Sequence, residues 1–388
     1  MSIDSKNIGK KGLKMGKNTV KVILLCITVL MALLLVASAW GGYVNPTKFS
    51  FLSVLTLGLP LILIINFVIM ITWLVVLQWR YALISLAAIL LSWGSVRMVF
   101  PINLFSSSTE ATPENSLRVL TFNVMNFGPY DPSNHIPSKS MRYTLDQNAD
   151  VVLLQEGSQE RNYLKLSNVE MMSEELENKY PYHSDGRHDL MILSKYPYTV
   201  INDTILKTGP ENVKSRDPEY QYYARGYDLE LPNGKQLRIV NLHLHTIGLD
   251  DGDRELYMNI TKNNIDSEEE FRKIKSSLYN KLCATFKYHA HEAQMVRNFL
   301  DKSPGNVIVC GDFNDTPASY SYRTVRGDDM RDAFMDCGFG FKHTFHDNRL
   351  YFKIDHIMYR GDLEAVDWYR DKAGDSDHYP QVATFVWK

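Results

Sequence analysis

Six short polar clusters hold the chemistry available to this chain. In Asn306-Val-Ile-Val-Cys-Gly-Asp312-Phe-Asn314-Asp-Thr-Pro317 an apolar run carries a carboxylate and, two residues on, a carboxamide into a turn. Such a run needs cover on both faces, so its polar end lies where a packed sheet meets solvent. Alternation places Asp312 and Asn314 on one side. The first can accept a proton or hold a metal, and the second can donate to an anionic oxygen. An Asx turn closed by Pro317 is the purely structural reading of the same residues. Leu117-Arg-Val-Leu-Thr-Phe-Asn123 ends in an amide, Asp150-Val-Val-Leu-Leu-Gln155-Glu156 in an amide and an acid, and Arg238-Ile-Val-Asn241-Leu-His243-Leu-His245 in histidines. Lys353-Ile-Asp355-His356 opens a strand, and Asp375-Ser-Asp377-His378-Tyr-Pro380 precedes the last one.

Taken singly, each cluster has a local explanation in turn chemistry, a surface acid or a packed histidine. Jointly they form a hydrolytic set. Oxygen donors such as Asn123, Glu156 and Asp377 suit Mg²⁺ or Mn²⁺, whereas zinc favours a tight His/Cys set that the sequence lacks. The remaining groups match the needs of a phosphate ester: a carboxylate to activate water, an amide and imidazoles to bind developing charge, and a proton donor for the leaving oxygen.

The ordered series Thr-Phe-Asn123, Leu-Leu-Gln-Glu156, Asn-Leu-His243, Gly-Asp312-Phe-Asn314, Ile-Asp355-His and Ser-Asp377-His378 resembles the endonuclease/exonuclease/phosphatase superfamily. That group includes deoxyribonuclease I, apurinic-site endonucleases, inositol polyphosphate phosphatases and neutral sphingomyelinases. The resemblance runs from about Leu117 to the C-terminus. It implies a four-layer α/β sandwich with two packed mixed β-sheets flanked by helices. It further implies that Asn123 and Glu156 bind the divalent cation, with Asp377 close by. Asp312 would orient or deprotonate the attacking water, Asn314 would hold a phosphate oxygen, and His243 would donate to the phosphate or leaving group. His378 would stabilise the pentacovalent phosphorus, with Asp355 fixing its orientation. His245 lies on the same strand face as His243, so either can approach the site. Arg225 in Tyr-Ala-Arg225-Gly stands where relatives often carry a phosphate-contacting arginine, and an exposed strand arginine is the other reading. Lys353 replaces an arginine common in relatives, which puts a bidentate contact there in doubt. His188, His289 and His291 read as structural or exposed.

The elements that must position these groups are strand-like runs at 117–123, 150–155, 189–194, 223–231, 237–245, 306–311, 354–359 and 381–387. The fourth and fifth, joined through Pro232-Asn233-Gly234-Lys235, read as an antiparallel hairpin. Helices are expected at 138–148, 159–179 and 268–300; in the last, Phe271, Ile274, Leu278, Leu282, Phe286, Met295, Val296 and Phe299 recur near helical spacing. Interleaved strands and helices with a hairpin imply a mixed sheet or two sheets covered by helices. The acidic stretch 248–267 is expected over one end of the sheet.

The N-terminal third is different material. Residues 1–105 hold nine of the 42 basic side chains and one of the 44 acids, so the rest of the chain carries an excess of ten acids. Apolar runs at 22–39, 53–78 and 81–104 approach the roughly 20 residues that a bilayer core requires, which predicts three membrane helices, the third interrupted by Arg97. Six lysines before the first run predict a cytoplasmic N-terminus and an extracytoplasmic body. Ala37-Ser38-Ala39 resembles a signal-peptidase site, and cleavage there would leave the body in the same compartment. Residues 106–116 read as a linker, so the chain divides into an integral-membrane segment in the cell or inner membrane, the linker, and a domain at 117–388. Three widely spaced cysteines in the body argue against a disulfide framework, with Cys310 a small buried hydrophobe.

An acidic body argues against tight nonspecific binding to duplex nucleic acid. A tethered enzyme suits a phospholipid ester, yet no strongly apolar, aromatic loop stands out in the sequence, and nucleotides or DNA outside the cytoplasm fit the location equally. The expected substrate is thus a phosphate ester of unresolved alcohol, and no protein partner is inferable. A membrane-tethered binding module that keeps the fold without turnover is the alternative.

Overall fold

The computed structural model describes residues 3–104, 112, 115–127, 138–157, 169–184, 189–201, 223–232, 234–246, 268–347 and 351–388. Most of the expected linker, the stretch 248–267, His188 and the first part of the helix expected at 159–179 lie outside them.

The strand-like runs form two six-stranded sheets. In the first, the order is β11 (Leu363–Arg370), β12 (Gln381–Trp387), β1 (Ser116–Asn123), β2 (Val151–Gln155), β4 (Met191–Ser194) and β3 (Tyr182–His183). In the second it is β5 (Tyr198–Ile201), β6 (Ala224–Glu230), β7 (Gln236–His243), β8 (Val307–Asp312), β10 (Asp355–Arg360) and β9 (Arg331–Asp332). β1 and β2 are parallel, as are β7 and β8, and the other pairings are antiparallel.

Alternation assigns the layers. Leu117, Val119, Val151 and Leu153 of the first sheet face Ile239, Ile308, Cys310 and Ile357 of the second in one core. The intervening Leu120, Phe122, Val152 and Leu154 pack outward against Leu145 of α6 (Lys139–Gln147) and Leu176 of α7 (Val169–Lys179). On the second sheet Val240, Leu242, Val307 and Val309 meet Val296, Phe299 and Leu300 of α8 (Glu268–Asp301). Both faces of every central strand are covered, which is why these strands read as continuous apolar runs. The result is the four-layer α/β sandwich.

Register decides where the polar ends fall. Asn123 pairs with Gln155, His243 with Asp312, and Asp312 also with Asp355. The last residues of four strands and the first of a fifth therefore share one edge of the sandwich. Just beneath that edge, Gln155 Nε2 donates to Asn241 Oδ1 at 2.6 Å, and Asn241 Nδ2 donates to the carbonyls of Leu154 and Met191 at 2.9 Å each. These buried amides join the sheets at one depth.

The N-terminal third is helical. α1 (Ile3–Gly41) contains Asn18–Gly41, 24 residues whose most apolar 18-residue stretch has a mean hydropathy of 2.9, long and apolar enough to cross a membrane. The runs expected at 53–78 and 81–104 are each broken. α2 (Pro46–Leu57) and α3 (Leu59–Val75) meet at 54°, and α4 (Trp79–Leu91) and α5 (Trp93–Val99) at 72°. Pro60 sits in the first turn of α3, where a proline starts a helix and prevents the preceding one from running through. Each bent pair is one span only if the bend lies within it. Leu35, Ala39, Leu59, Ile62, Met98 and Val99 share a core cluster with Phe299, Ala318, Tyr322 and Val325 of the body, so the two parts are packed together.

Strand β11 has no counterpart among the expected runs, because a bulge between Ala365 and Asp367 breaks its alternation. Two further helices, α9 (Tyr320–Arg326) and α10 (Ala333–Cys337), are too short to leave a periodic trace.

Gly311 precedes the central aspartate with φ +141°, and an added Cβ would stand 1.9 Å from the Leu242 carbonyl oxygen. Gly311→Ala is expected to cost about 3 kcal/mol and to lower the full-length protein's melting midpoint, followed by circular dichroism, by about 6–12 °C. An unchanged midpoint would show that the strands do not approach this closely.

Candidate active site

Asp312 is the hub. Its Oδ1 accepts from the Asn314 backbone N at 2.8 Å, the Asx turn of the structural reading. Its Oδ2 accepts from Asn123 Nδ2 at 3.0 Å and lies 3.6 Å from His378 Nε2 and 3.9 Å from His243 Nε2. The same Asn123 nitrogen donates to Glu156 Oε1 at 3.0 Å, and Glu156 Oε1 is 3.8 Å from His243 Nε2. Each imidazole is held from behind by its own carboxylate: His378 Nδ1 by Asp355 at 3.0 Å and His243 Nδ1 by Asp189 at 2.7 Å. Two aspartate–histidine pairs thus aim Nε2 at one buried aspartate.

Six of the residues expected from sequence, Asn123, Glu156, His243, Asp312, Asp355 and His378, are joined by these contacts. Asn314 adjoins them, and its carboxamide donates to the Leu244 carbonyl at 3.0 Å, which seats it at the end of β7. Asp377 is half-buried beside His378, with its own carbonyl accepting from His346 N at 3.0 Å; no hydrogen bond joins its carboxylate to Asn123 or Glu156. Arg225 pairs with Asn241 across β6 and β7, on the inward face shared with Tyr227, one strand from His243. Asp189 was not anticipated. Its signal was a polar residue leading into the run Leu-Met-Ile-Leu-Ser194, much as Asp355 heads β10.

Between the two strand-end histidines, geometry selects His243. The backbone N of His245 donates to Glu292, its carbonyl accepts from His289 Nε2, and its ring stands 5.2 Å from Tyr288. His289 is buried beside Asp315, and His291 is exposed. Lys353 turns inward, where its ammonium donates to the Asp355 carbonyl at 2.6 Å and to Gln381 at 3.1 Å. Burial pushes it down to about 8.

Charge is concentrated here. Burial pushes Asp312 up to about 6, with Asp355 adding to the rise and both imidazoles opposing it. Burial alone would neutralise His378 and His243. Asp355 and Asp312 outweigh it for the first, and Asp189, Asp312 and Glu156 for the second, raising both to about 10. The loops are strained as well: Glu156, Asn314, Met125, Asn126 and Phe127 all have left-handed backbones with φ between +44° and +63°.

The donors suit a hard cation. Glu156 and Asp312 offer carboxylate oxygens on either side of the Asn123 carboxamide, whose Nδ2 bridges them and whose Oδ1, the atom able to ligate a cation, accepts from Met125 N at 3.1 Å. Glu156 is about one third exposed and so reachable from solvent. Asp312, Asp355 and His378 form the acid/histidine group compact enough to hold a metal among the described residues. There, however, Asp355 and the imidazole already neutralise each other, so the Asn123 and Glu156 side is the better seat.

Residues 120–378 match the model of the Endonuclease/Exonuclease/phosphatase family. The chain belongs to that family. It is accordingly a phosphate-ester hydrolase, as its motif series implied. Residues 21–99 match a second family, described as a domain of unknown function. No curated protein matches the chain. Among solved structures, an endonuclease/exonuclease/phosphatase from Bacteroides vulgatus is 18% identical, with a TM-score of 0.45 over 70% of this chain and 99% of that one. The mannosyl-6-phosphatase Bt3783 of Bacteroides thetaiotaomicron is 15% identical, with a TM-score of 0.44 over 70% of this chain and 100% of that one. Sphingomyelinase C from Streptomyces griseocarneus is 17% identical, with a TM-score of 0.40 over 70% and 99%. No substrate follows from likenesses this distant.

Because the folded site raises the pKa of His243 above its ordinary value, the histidine's contribution to stability is fully present below about pH 6.5 and disappears as pH climbs through 10. In metal-free Asp189→Asn, the His243 titration seen by NMR should fall by about 1–3 pH units. A midpoint equal to wild type would show that Asp189 does not hold this imidazole.

Proposed function

We propose that this hydrolase is a membrane-anchored, Mg²⁺- or Mn²⁺-dependent phosphoesterase that cleaves its ester by in-line attack of water. The observation carrying this reading is Asp312 Oδ2 standing 3.6 and 3.9 Å from two imidazoles that are each backed by a carboxylate. Asp312, with an affinity for protons near neutrality, orients the water and takes its proton. His378, held protonated by Asp355, donates to the charge that grows on the phosphoryl oxygens. His243, held protonated by Asp189, donates to the leaving oxygen or its neighbour. Asn314 and Arg225 hold the phosphate, and Asn123 and Glu156 hold the cation, with Asp377 near. The cation, when bound, neutralises charge on the phosphoryl group. A binding module without turnover would require one of these positions to be vacated, and all are filled.

Anchoring is supported by α1, and the lysines that precede its apolar stretch favour a body outside the cytoplasm. A second observation favours a substrate borne by the membrane. Ile102, just past α5, bridges to Phe339, and the loop that follows brings Phe345 against His378 with ring centres 5.1 Å apart. Phe339 and Tyr351 are each about half exposed on this path. Polar neighbours such as Lys342, Asp347 and Arg349 hide the aromatic row in the sequence. Its two ends touch the helical region at Ile102 and the ring of His378, the places an amphiphilic ester would have to approach.

With Mg²⁺ or Mn²⁺ the full-length protein should hydrolyse a phosphodiester, and a chelator should stop it. Asp312→Asn and His378→Ala should each lower kcat by about 10²–10⁴-fold while folding is retained; equal activity in either variant would remove that residue from the mechanism. The double variant Phe339→Ser, Tyr351→Ser should lose about tenfold or more in turnover of a vesicle-borne phospholipid yet keep its rate on a soluble aryl phosphodiester. Equal loss on both would argue for a soluble substrate.

A further inference from the structure

We infer that the N-terminal helical region is part of the catalytic unit as well as an anchor, and that Arg323 is the positioning residue through which it holds the loop carrying Asn314. The kinetic half of this inference rests on the phosphoesterase reading above.

The loop from Asp312 to Ser319 needs outside support. Asn314 and Ala318 both adopt left-handed backbones, at φ +49° and +72°, without being glycine. Each is an unfavourable conformation for a residue with a Cβ and persists only where the surroundings fix it. The body supplies part of that restraint: Asp315 accepts from Thr316 N at 2.9 Å and from the Ser321 hydroxyl, and its carbonyl accepts from His356 Nε2 at 3.1 Å.

The other restraint comes from the helical region. Arg323 Nε donates to the Ala318 carbonyl at 3.0 Å, while its Nη2 donates to Ser95 Oγ at 2.6 Å and to the Ala39 carbonyl at 3.2 Å. Ser95 Oγ itself donates to Ala39 O at 2.7 Å, and the guanidinium lies 4.0 Å over the Tyr43 ring. One planar cation thereby joins the last turn of α1, the helix α5 and the strained residue Ala318. A cation is favoured at a helix C-terminus, and the fork geometry is specific to arginine. Gly42 closes the same contact, since a Cβ there would stand 1.8 Å from the Ala318 carbonyl oxygen. Asn45 Nδ2 adds a bond to the Tyr320 hydroxyl at 3.2 Å. The backbone of the helical region is thus pressed against the loop four residues beyond Asn314. Arg323 contacts none of the groups assigned to substrate or cation, so its effect is on their placement.

The test uses full-length protein in nanodiscs with Mg²⁺ and a soluble aryl phosphodiester, together with hydrogen exchange on peptides covering 313–319. Arg323→Ala should lower kcat about 10–100-fold with KM within about twofold, since small displacements of catalytic groups cost turnover. Millimolar guanidinium should restore part of the loss. Arg323→Lys keeps the charge without the fork and serves if the alanine variant fails to fold; it should show the same split between kcat and KM. Exchange at 313–319 should rise at least about tenfold in either variant while β8 stays protected. Wild-type kcat in a folded variant, or unchanged exchange at 313–319, would overturn the inference. A wild-type protein inert toward every ester would instead sink the phosphoesterase reading, and the exchange measurement alone would then decide the coupling.

Discussion

The arrangement depends on the buried pairing of Gln155 with Asn241. β2 must present Glu156 just past its last residue, Gln155, and β7 must present His243 two residues beyond Asn241. The amides fix the depth at which the two sheets meet, so these side chains emerge side by side. An intramolecular hydrogen bond contributes only about 1 kcal/mol net, but an orphaned buried amide costs about 1–3 kcal/mol. Sliding one sheet over the other would orphan several groups at once, and apolar packing alone imposes no such penalty. The polar pairing therefore gives the apolar sandwich its register, and the register brings the catalytic groups together.

What gathers at that edge is an excess of negative charge with two imidazoles set into it. Asp312, Asp355, Asp189 and Glu156 hold the histidines protonated against the opposing effect of burial. A protonated imidazole at neutral pH is a hydrogen-bond donor, which suits a phosphate oxygen and does not suit deprotonation of water. The proposed mechanism leaves base chemistry to Asp312, the carboxylate that burial pushes up to about 6. In the proposed mechanism a divalent cation balances the surplus charge around Asn123 and Glu156. Function and strain coincide here, as the left-handed residues at 125–127, 156 and 314 cluster on the loops that carry these groups.

Much of this was legible in the sequence because the fold ties chemistry to strand ends. Buried strands announced themselves as apolar runs, and the polar residue closing each run was the one placed at the shared edge. The readings of Asn123, Glu156, His243, Asp312, Asp355 and His378 as one group rested on that rule together with the family resemblance. Legibility failed where a residue's partner is distant in sequence and its local pattern is ordinary. Asp189 acquires a role only through His243, 54 positions away. His245 shared the face of His243 in an ideal strand, but β7 ends at His243 and the next residues belong to a network with Glu292 and His289. The contact of Phe345 with His378, 33 positions away, is likewise visible only in three dimensions. The breaks in the apolar helices follow from Pro60 and from the bend between α4 and α5, which hydropathy over a window averages away.

The helical region and the body meet through a shared apolar core and through Arg323, so the hydrolase is organised as one body with its N-terminal helices. The central claim is that side chains from both sheets surround one divalent cation in one cleft. The most direct measurement is an anomalous difference map from crystals of the full-length protein grown with Mn²⁺. The expected result is a manganese peak between Asn123 and Glu156, within reach of Asp312; a peak elsewhere, or well-ordered side chains at this site with no manganese, would contradict the account.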